Sequence, residues 1–188
     1  MLRRFFMIGC ALLMGLPPAS FAGEIGGVHM PDSLTAGKMP LVLNGMGLRK
    51  RFFMKIYAGA LYLPEKNGDS RKIIAAEAPM AIRMHFIYDG VSSRKLIDAW
   101  NEGFANSTGG KTAAIASQID RFNACFFDEA RSGDIYDIIY SPGRGVRVYK
   151  KNQLRGVIQG EGFKQALFGI WLGDEPADKD LRRGMLGH

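Results

Sequence analysis

The sequence has little cysteine: Cys10 and Cys125 are its two cysteines among 188 residues. Cys10 falls in an N-terminal apolar run, so its removal would leave one cysteine and no possible internal disulfide. Cys125 lies in a helical pattern beside Phe122 and Phe126, which predicts a buried small hydrophobe rather than a reactive thiol. Stability must then come from the hydrophobic core.

Histidine is also scarce, and its three copies, His29, His85 and His188, are too scattered for ligand spacing. We therefore expect neither a metal site nor a cofactor. The segment 107–112, STGGKT, resembles a phosphate loop, but Ala105 stands where that motif needs glycine and a helical pattern precedes it. No linker, repeat or low-complexity tract divides the chain, so one domain is expected.

The N-terminus has the pattern of a secretory signal peptide. MLRR supplies a basic segment, FFMIGCALLMGLP an apolar one, and PASFA ends in small residues. The apolar run is short for a membrane span and is broken by Pro17 and Pro18. The sequence predicts cleavage after Ala22, a single domain over residues 23–188, no integral span in the mature chain, and a periplasmic or secreted location.

Charge is mildly basic. Removal of Arg3 and Arg4 lowers the Lys and Arg count from 25 to 23 against 18 acidic residues, so the formal charge falls from +7 to +5. This balance suits an anionic small ligand or loose attraction to a membrane surface. It is weak support for nucleic acid, which we do not expect as a partner.

The hydrophobic periodicity predicts strands, a pair of helices, more strands, and then helices, which is an α+β domain. Asn44 to Gly47 has the composition of a turn, and the chain then runs as one long strand to Leu63. The other predicted elements are a short helix over Ile73–Ala78, a strand over Met80–Tyr88, two helices after Ser92, a meander over Ile135–Gln159, and closing helices ending at Gly173 and Leu186.

The stretch GLRKRFFMKIYAGALYL, residues 47–63, combines a strand pattern with four cations. Alternation places Arg49 and Tyr57 on one face, with Ala58 and Tyr62 on the opposite apolar face. The first face could line a cleft that is apolar at depth and cationic at its entrance, as an amphiphile with an anionic head group requires. Periodicity alone leaves another interpretation open, in which the cations only solvate a strand end.

GMGLRKRFFMKIYAGALYLPE, the helix start at Ser92-Ser93-Arg94-Lys95 and the tail IWLGDEPADKDLRRGMLG together resemble the chalcone isomerase-like superfamily. The similarity runs from about Ile25 to Gly187 and is greatest to the exported bacterial branch. It implies an open-faced β-sandwich, in which a large antiparallel sheet is backed by helices and a ligand cleft lies between them. It also implies two activities: plant members cyclise chalcones, whereas other members bind fatty acids.

The residues that match the family's sites favour binding. Arg49 matches the arginine that both groups use, and Tyr57 falls on the isomerases' strand threonine and fits the tyrosine that fatty-acid-binding members pair with arginine. The isomerases' other polar groups fall at about Ser92, Ala99 and Ile170. The resemblance therefore implies a non-catalytic protein that binds a fatty acid or similar amphiphilic anion through Arg49 and Tyr57. A chalcone isomerase-type intramolecular lyase, and a sheet face that binds a protein partner, remain alternatives, and the oligomeric state stays open.

Overall fold

The computed structural model describes residues 21–188. The predicted signal peptide lies outside this range except for its last two residues, so it stays a prediction. The strands are β1 (Phe21–Ile25), β2 (Val28–Pro31), β3 (Ser33–Ala36), β4 (Met39–Arg51), β5 (Met54–Leu63), β6 (Met80–Phe86), β7 (Ile135–Ser141), β8 (Gly145–Lys150) and β9 (Gln153–Ile158). The helices are α1 (Ser70–Ala75), α2 (Ser93–Thr108), α3 (Ala116–Asn123), α4 (Glu161–Leu172) and α5 (Lys179–Met185), with 3₁₀ turns at Ala113–Ile115 and Ala124–Phe126.

Strands β3 to β9 form one antiparallel sheet of seven strands in chain order, and β1 and β2 form a separate hairpin. One face of the large sheet packs against the helices and carries most of the core, including Leu61, Ile82 and Phe86. The opposite face is partly covered by β1 and β2, whose Met30 packs near Tyr62. This arrangement confirms the predicted α+β class with an open-faced sheet backed by helices.

The buried residues of the helices recur at helical spacing. In α2 the buried residues are Leu96, Trp100, Gly103 and Phe104, and the Ser92 hydroxyl caps the helix by accepting from the Lys95 amide. Cys125 is 1% exposed, as predicted, and burial raises the pKa of its thiol to about 11. Within residues 21–188 there is no helix both long and apolar enough to cross a bilayer.

Two predictions about residues 44–63 were wrong. The expected single strand is a hairpin, since β4 and β5 meet at a turn over Phe52 and Phe53. Two phenylalanines give no turn signal, so alternation continued through the bend. The expected turn at Asn44–Gly47 lies inside β4, where the glycines serve helix packing instead of chain reversal.

The C-terminal helix α5 lies directly on β4, backbone against backbone. A Cβ atom on Gly45 would stand 2.2 Å from the Gly184 carbonyl oxygen, and one on Gly184 would stand 2.3 Å from the Met46 carbonyl oxygen. The buried Asn44 side chain joins the same contact by donating to the Met185 carbonyl at 2.8 Å. Two of the three stretches that carry the family resemblance therefore meet here, and the Asn44–Met185 bond joins residues 141 positions apart in the chain.

We predict that Gly184→Ala lowers the free energy of unfolding by about 1–3 kcal/mol, because the new methyl group must push backbone aside. Gly162→Ala in α4 is the matched control, since its Cβ would meet only Ile115 at 3.9 Å. There the helix propensity of alanine should leave stability unchanged or raise it by up to about 1 kcal/mol. Urea unfolding measures both, and equal effects would contradict the close packing of α5.

Candidate functional site

Arg49 and Tyr57 are directly opposite each other on β4 and β5. Opposed residues of an antiparallel pair project on the same side of the sheet, here the side that faces the helices. The prediction that they share a face is therefore confirmed, although it rested on one strand and the structure achieves it with two. A shift in register between Arg49 and Lys50 marks a bulge beside the pair.

Arg49 is held by the segment that connects α4 to α5. Its guanidinium donates to the Ala177 carbonyl, and its Nη1 lies 3.7 Å from Asp178 Oδ2. The same Asp178 oxygen accepts from the Lys50 amide at 3.0 Å, while its other oxygen caps α5. The Arg49 side chain is 28% exposed and that of Asp178 is 13% exposed, so the pair lies at the rim of the core.

Tyr57 lies behind Arg49, inside the core. It is 8% exposed, and its hydroxyl oxygen accepts a hydrogen bond from the Trp171 indole at 2.9 Å. Burial raises the pKa of Tyr57 to about 12, although the nearby Arg49 charge favours ionisation and opposes part of that rise. Across residues 21–188, no acceptor is seen for the hydroxyl hydrogen itself, so this group can still donate.

An aromatic layer fills the space between the sheet and the helices. Its fully buried members are Trp171, Phe104, Phe122, Phe126, Phe163 and Phe168. Trp100 packs on Trp171 at a centroid distance of 5.5 Å, and its buried indole Nε1 has no hydrogen-bond partner in the described part of the chain. The expected cleft is thus occupied by side chains, with an unused polar hydrogen within the layer.

Two surface cavities lie elsewhere, and neither borders Arg49 or Tyr57. One of about 390 Å³ is lined by charged side chains near β7 to β9, where Lys150 already pairs with Asp128 and Asp134. The other, of about 350 Å³, lies on the far side of the sheet beside a bidentate Arg83–Asp137 pair. Between residues 21 and 188, no group of three or more His, Cys, Asp or Glu side chains could hold a metal ion.

Sequence reasoning missed two residues of the site. The charged residues of Asp178–Arg183 have the pattern of a solvated helix face, yet Asp178 caps α5 and pairs with Arg49. Its capping role was visible in the sequence, because an aspartate before a short helical pattern is a common N-cap, but its contact with Arg49 was not. Trp171 lies in an apolar helical pattern and is buried, but its bond to Tyr57 depends on a contact across 114 residues.

Comparison with known proteins identifies the family. A family model described as chalcone isomerase-like matches residues 22–187. The chain belongs to the chalcone isomerase-like family. Among solved structures, a fatty-acid binding protein of Arabidopsis thaliana shares the fold, with a TM-score of 0.70 and 19% identity over 85% of this chain and 92% of that one. A search of curated proteins finds no match.

We predict that Tyr57→Phe lowers the free energy of unfolding by about 1–3 kcal/mol, because the Trp171 indole would be buried without its acceptor. Trp171→Phe removes the donor of the same bond. The double variant should therefore lose less stability than the sum of the losses in the two single variants. A double-mutant cycle measured by urea unfolding tests this, and additive effects would contradict the bond.

Tyr57 also predicts a loss of stability in alkali. An unfolded tyrosine ionises near its ordinary pKa of 10.0, whereas folded Tyr57 holds its proton to about 12. The folded state therefore binds more protons in this window, and stability falls as pH rises from about 10 to about 12. The fall should be shallower in Tyr57→Phe than in the wild type. Tyr88→Phe, which removes an exposed hydroxyl, is the control, and an equally shallow fall there would contradict the assignment.

Proposed function

We propose that the protein binds a fatty acid or a similar amphiphilic anion, with the head group at Arg49 and Tyr57. The observation that carries the proposal is the cross-strand pairing of these residues, which sets a cation beside a hydroxyl whose hydrogen is unused. The Arabidopsis protein of the same fold is a fatty-acid binding protein, which supports the same class of ligand here.

The chemistry of this pair suits a carboxylate. Arg49 supplies a fixed positive charge, and Tyr57 can donate to the second oxygen of the head group. Trp171 donates to the same hydroxyl, which makes the hydroxyl a stronger donor in turn. With a pKa of about 12, Tyr57 is protonated at neutral pH, as an ordinary tyrosine is.

In this structure the Asp178 carboxylate pairs with Arg49, as the carboxylate of the ligand would. Its oxygen faces the Arg49 guanidinium at 3.7 Å, so an incoming head group competes with it. The Arg49 contacts to Ala177 and Asp178 also hold the connection between α4 and α5 against Arg49. Opening this connection gives a path to Tyr57, and an acyl chain would then displace members of the aromatic layer.

A specific observation favours a second candidate. Buried aromatic side chains fill the layer between the sheet and the helices, as expected if the protein takes no small ligand and the sheet presents a surface to a protein partner. The isomerase alternative has less support from the residues present. Ser92 is used as the cap of α2, and Ile170 is 2% exposed and apolar, so the hydroxyl and amide groups of an oxyanion-stabilising site are missing.

We also propose that the protein acts outside the cytoplasm after cleavage behind Ala22. The support is the sequence of residues 1–22 alone. Mass spectrometry of the chain recovered from a periplasmic or secreted fraction should show Gly23 as the first residue. Retention of residues 1–22 in the cytoplasmic fraction would contradict this location.

We predict that Arg49→Gln weakens fatty-acid binding by about 10- to 100-fold, because a hydrogen bond to a charged group contributes about 1.5–3 kcal/mol. Displacement of a fluorescent fatty-acid analogue by palmitate measures this. Arg51→Gln, an exposed cation two residues along the same strand, is the matched control and should bind as the wild type does. The methyl ester of palmitate should not distinguish Arg49→Gln from the wild type.

Absence of palmitate binding to the wild-type protein, or equal losses in Arg49→Gln and Arg51→Gln, would contradict the proposal. Absence of binding together with specific capture of a protein partner would favour the second candidate instead.

Asp178→Asn should tighten palmitate binding by about two- to fivefold, because it removes the charge that competes for Arg49. Asparagine is as good an N-cap as aspartate, so α5 should keep its stability. The same displacement assay measures the change. Unchanged or weaker binding in a variant that unfolds like the wild type would show that Asp178 does not compete with the ligand.

A further inference from the structure

The turn of the β4–β5 hairpin exposes two large aromatic side chains. Phe52 is 84% exposed and Phe53 is 91% exposed, more than any other large hydrophobic residue whose exposure is described. Both lie at the extreme end of the hairpin, between Arg51 and Met54, which are the last paired residues of the two strands. Two adjacent exposed phenylalanines on a projecting turn need a physical reason, since water solvates them poorly.

The backbone of this turn is strained, because a phenylalanine adopts a conformation that favours glycine. Phe52 has φ of 55°, and positive φ at the first central residue alone is the pattern of a type II′ turn, which normally takes glycine there. The β8–β9 hairpin also has non-glycine residues at positive φ, Lys151 at 49° and Asn152 at 64°, but asparagine tolerates this conformation and both side chains are polar. Local folding preferences therefore do not explain Phe52, which points to a role for its side chain.

Cations surround the base of the same turn. The side chains of Lys50, Arg51 and Lys55 are exposed, and none forms an ion pair within residues 21–188. The nearby carboxylate of Asp178 is already taken by Arg49 and the Lys50 amide. Tyr88 lies at this end of the sheet too, since its amide donates to the Ile56 carbonyl at 3.1 Å, and it is 40% exposed.

We propose that this hairpin tip, residues 50–55, docks the protein on a phospholipid bilayer that contains anionic lipid. Phe52 and Phe53 enter the boundary between head groups and acyl chains, and the three cations lie at the level of the lipid phosphates. Tyr88 is amphipathic and suits the interface beside them. The order of apolar tip, then cations, then folded domain matches the order of layers in a bilayer surface. This inference does not depend on the fatty-acid site.

Vesicle flotation tests the proposal. The protein recovered from cells, with an N-terminus shown by mass spectrometry to be the same in every variant, should bind vesicles of phosphatidylcholine and phosphatidylglycerol better than vesicles of phosphatidylcholine alone. Binding should weaken as salt is added, because exposed charges are screened. The double variant Phe52→Asn with Phe53→Ser should bind at least about tenfold more weakly. Asparagine tolerates positive φ, so this variant should fold and be no less stable.

Matched controls test whether vesicle binding depends on where the phenylalanines and cations lie, and not only on how many the surface carries. Phe127→Ser removes a phenylalanine that is 67% exposed elsewhere on the surface, and it should bind vesicles as the wild type does. Replacement of all three tip cations by glutamine should abolish the preference for phosphatidylglycerol. A control variant replaces three exposed lysines elsewhere and should keep most of the preference for phosphatidylglycerol. Its changes are Lys38→Gln, Lys66→Gln and Lys111→Gln.

Three results would overturn the proposal. The first is equal binding of the wild type and the double phenylalanine variant. The second is equal loss in the two triple glutamine variants, because net charge alone would then explain attraction. The third is absence of vesicle binding together with a wild-type dimer that the double phenylalanine variant converts to a monomer in solution, which would assign the tip to a second copy of the chain.

Discussion

The contact between α5 and β4 is the constraint on which the rest of the structure depends. It has no side chain between the two backbones at Gly45 and Gly184, where a single methyl group would stand 2.2 or 2.3 Å from a carbonyl oxygen. Because the helix lies this close, its N-cap Asp178 reaches Arg49, while Trp171 of α4 donates to the Tyr57 hydroxyl behind it. The position of the last helix thus determines how the proposed head-group site is closed.

The β4–β5 hairpin joins two features that the sequence presents as one stretch. Arg49 and Tyr57 lie just before the turn, on the helix side of the sheet. Phe52 and Phe53 form the turn itself and are exposed to solvent. Two residues, Lys50 and Arg51, separate Arg49 from Phe52, which places Arg49 and Phe52 about 10 Å apart along the strand. A bilayer docked at the tip would therefore lie near the connection through which an amphiphile could enter. The four cations that crowd this stretch fall into two groups, with Arg49 held by the fold and the other three left in solvent.

Hydrophobic periodicity was enough to predict the helices and strands that pack against the core on one face only. The alternation of Ile82, Met84 and Phe86 and the helical stripe of Leu96, Trp100 and Phe104 each reflect packing against a single layer. It failed where the decisive partner is distant in the chain. Gly45 and Gly47 resemble a turn unless the approach of α5 is known, and Phe52 gives no sign of a bend because its φ is unfavourable for its residue type. Asp178 likewise shows its cap but not its ion pair. The aromatic layer could be predicted as apolar, but whether it leaves an open cleft depends on how its rings pack.

The central claim is that Arg49 and Tyr57 together receive an anionic head group. A crystal structure of the protein grown with a saturated fatty acid tests it most directly. The account predicts that the carboxylate lies within hydrogen-bonding distance of the Arg49 guanidinium and the Tyr57 hydroxyl, that Asp178 has moved away from Arg49, and that the acyl chain lies among displaced rings of the aromatic layer. A complex in which Arg49 keeps its contacts to Ala177 and Asp178 while the fatty acid lies in another part of the molecule would contradict it.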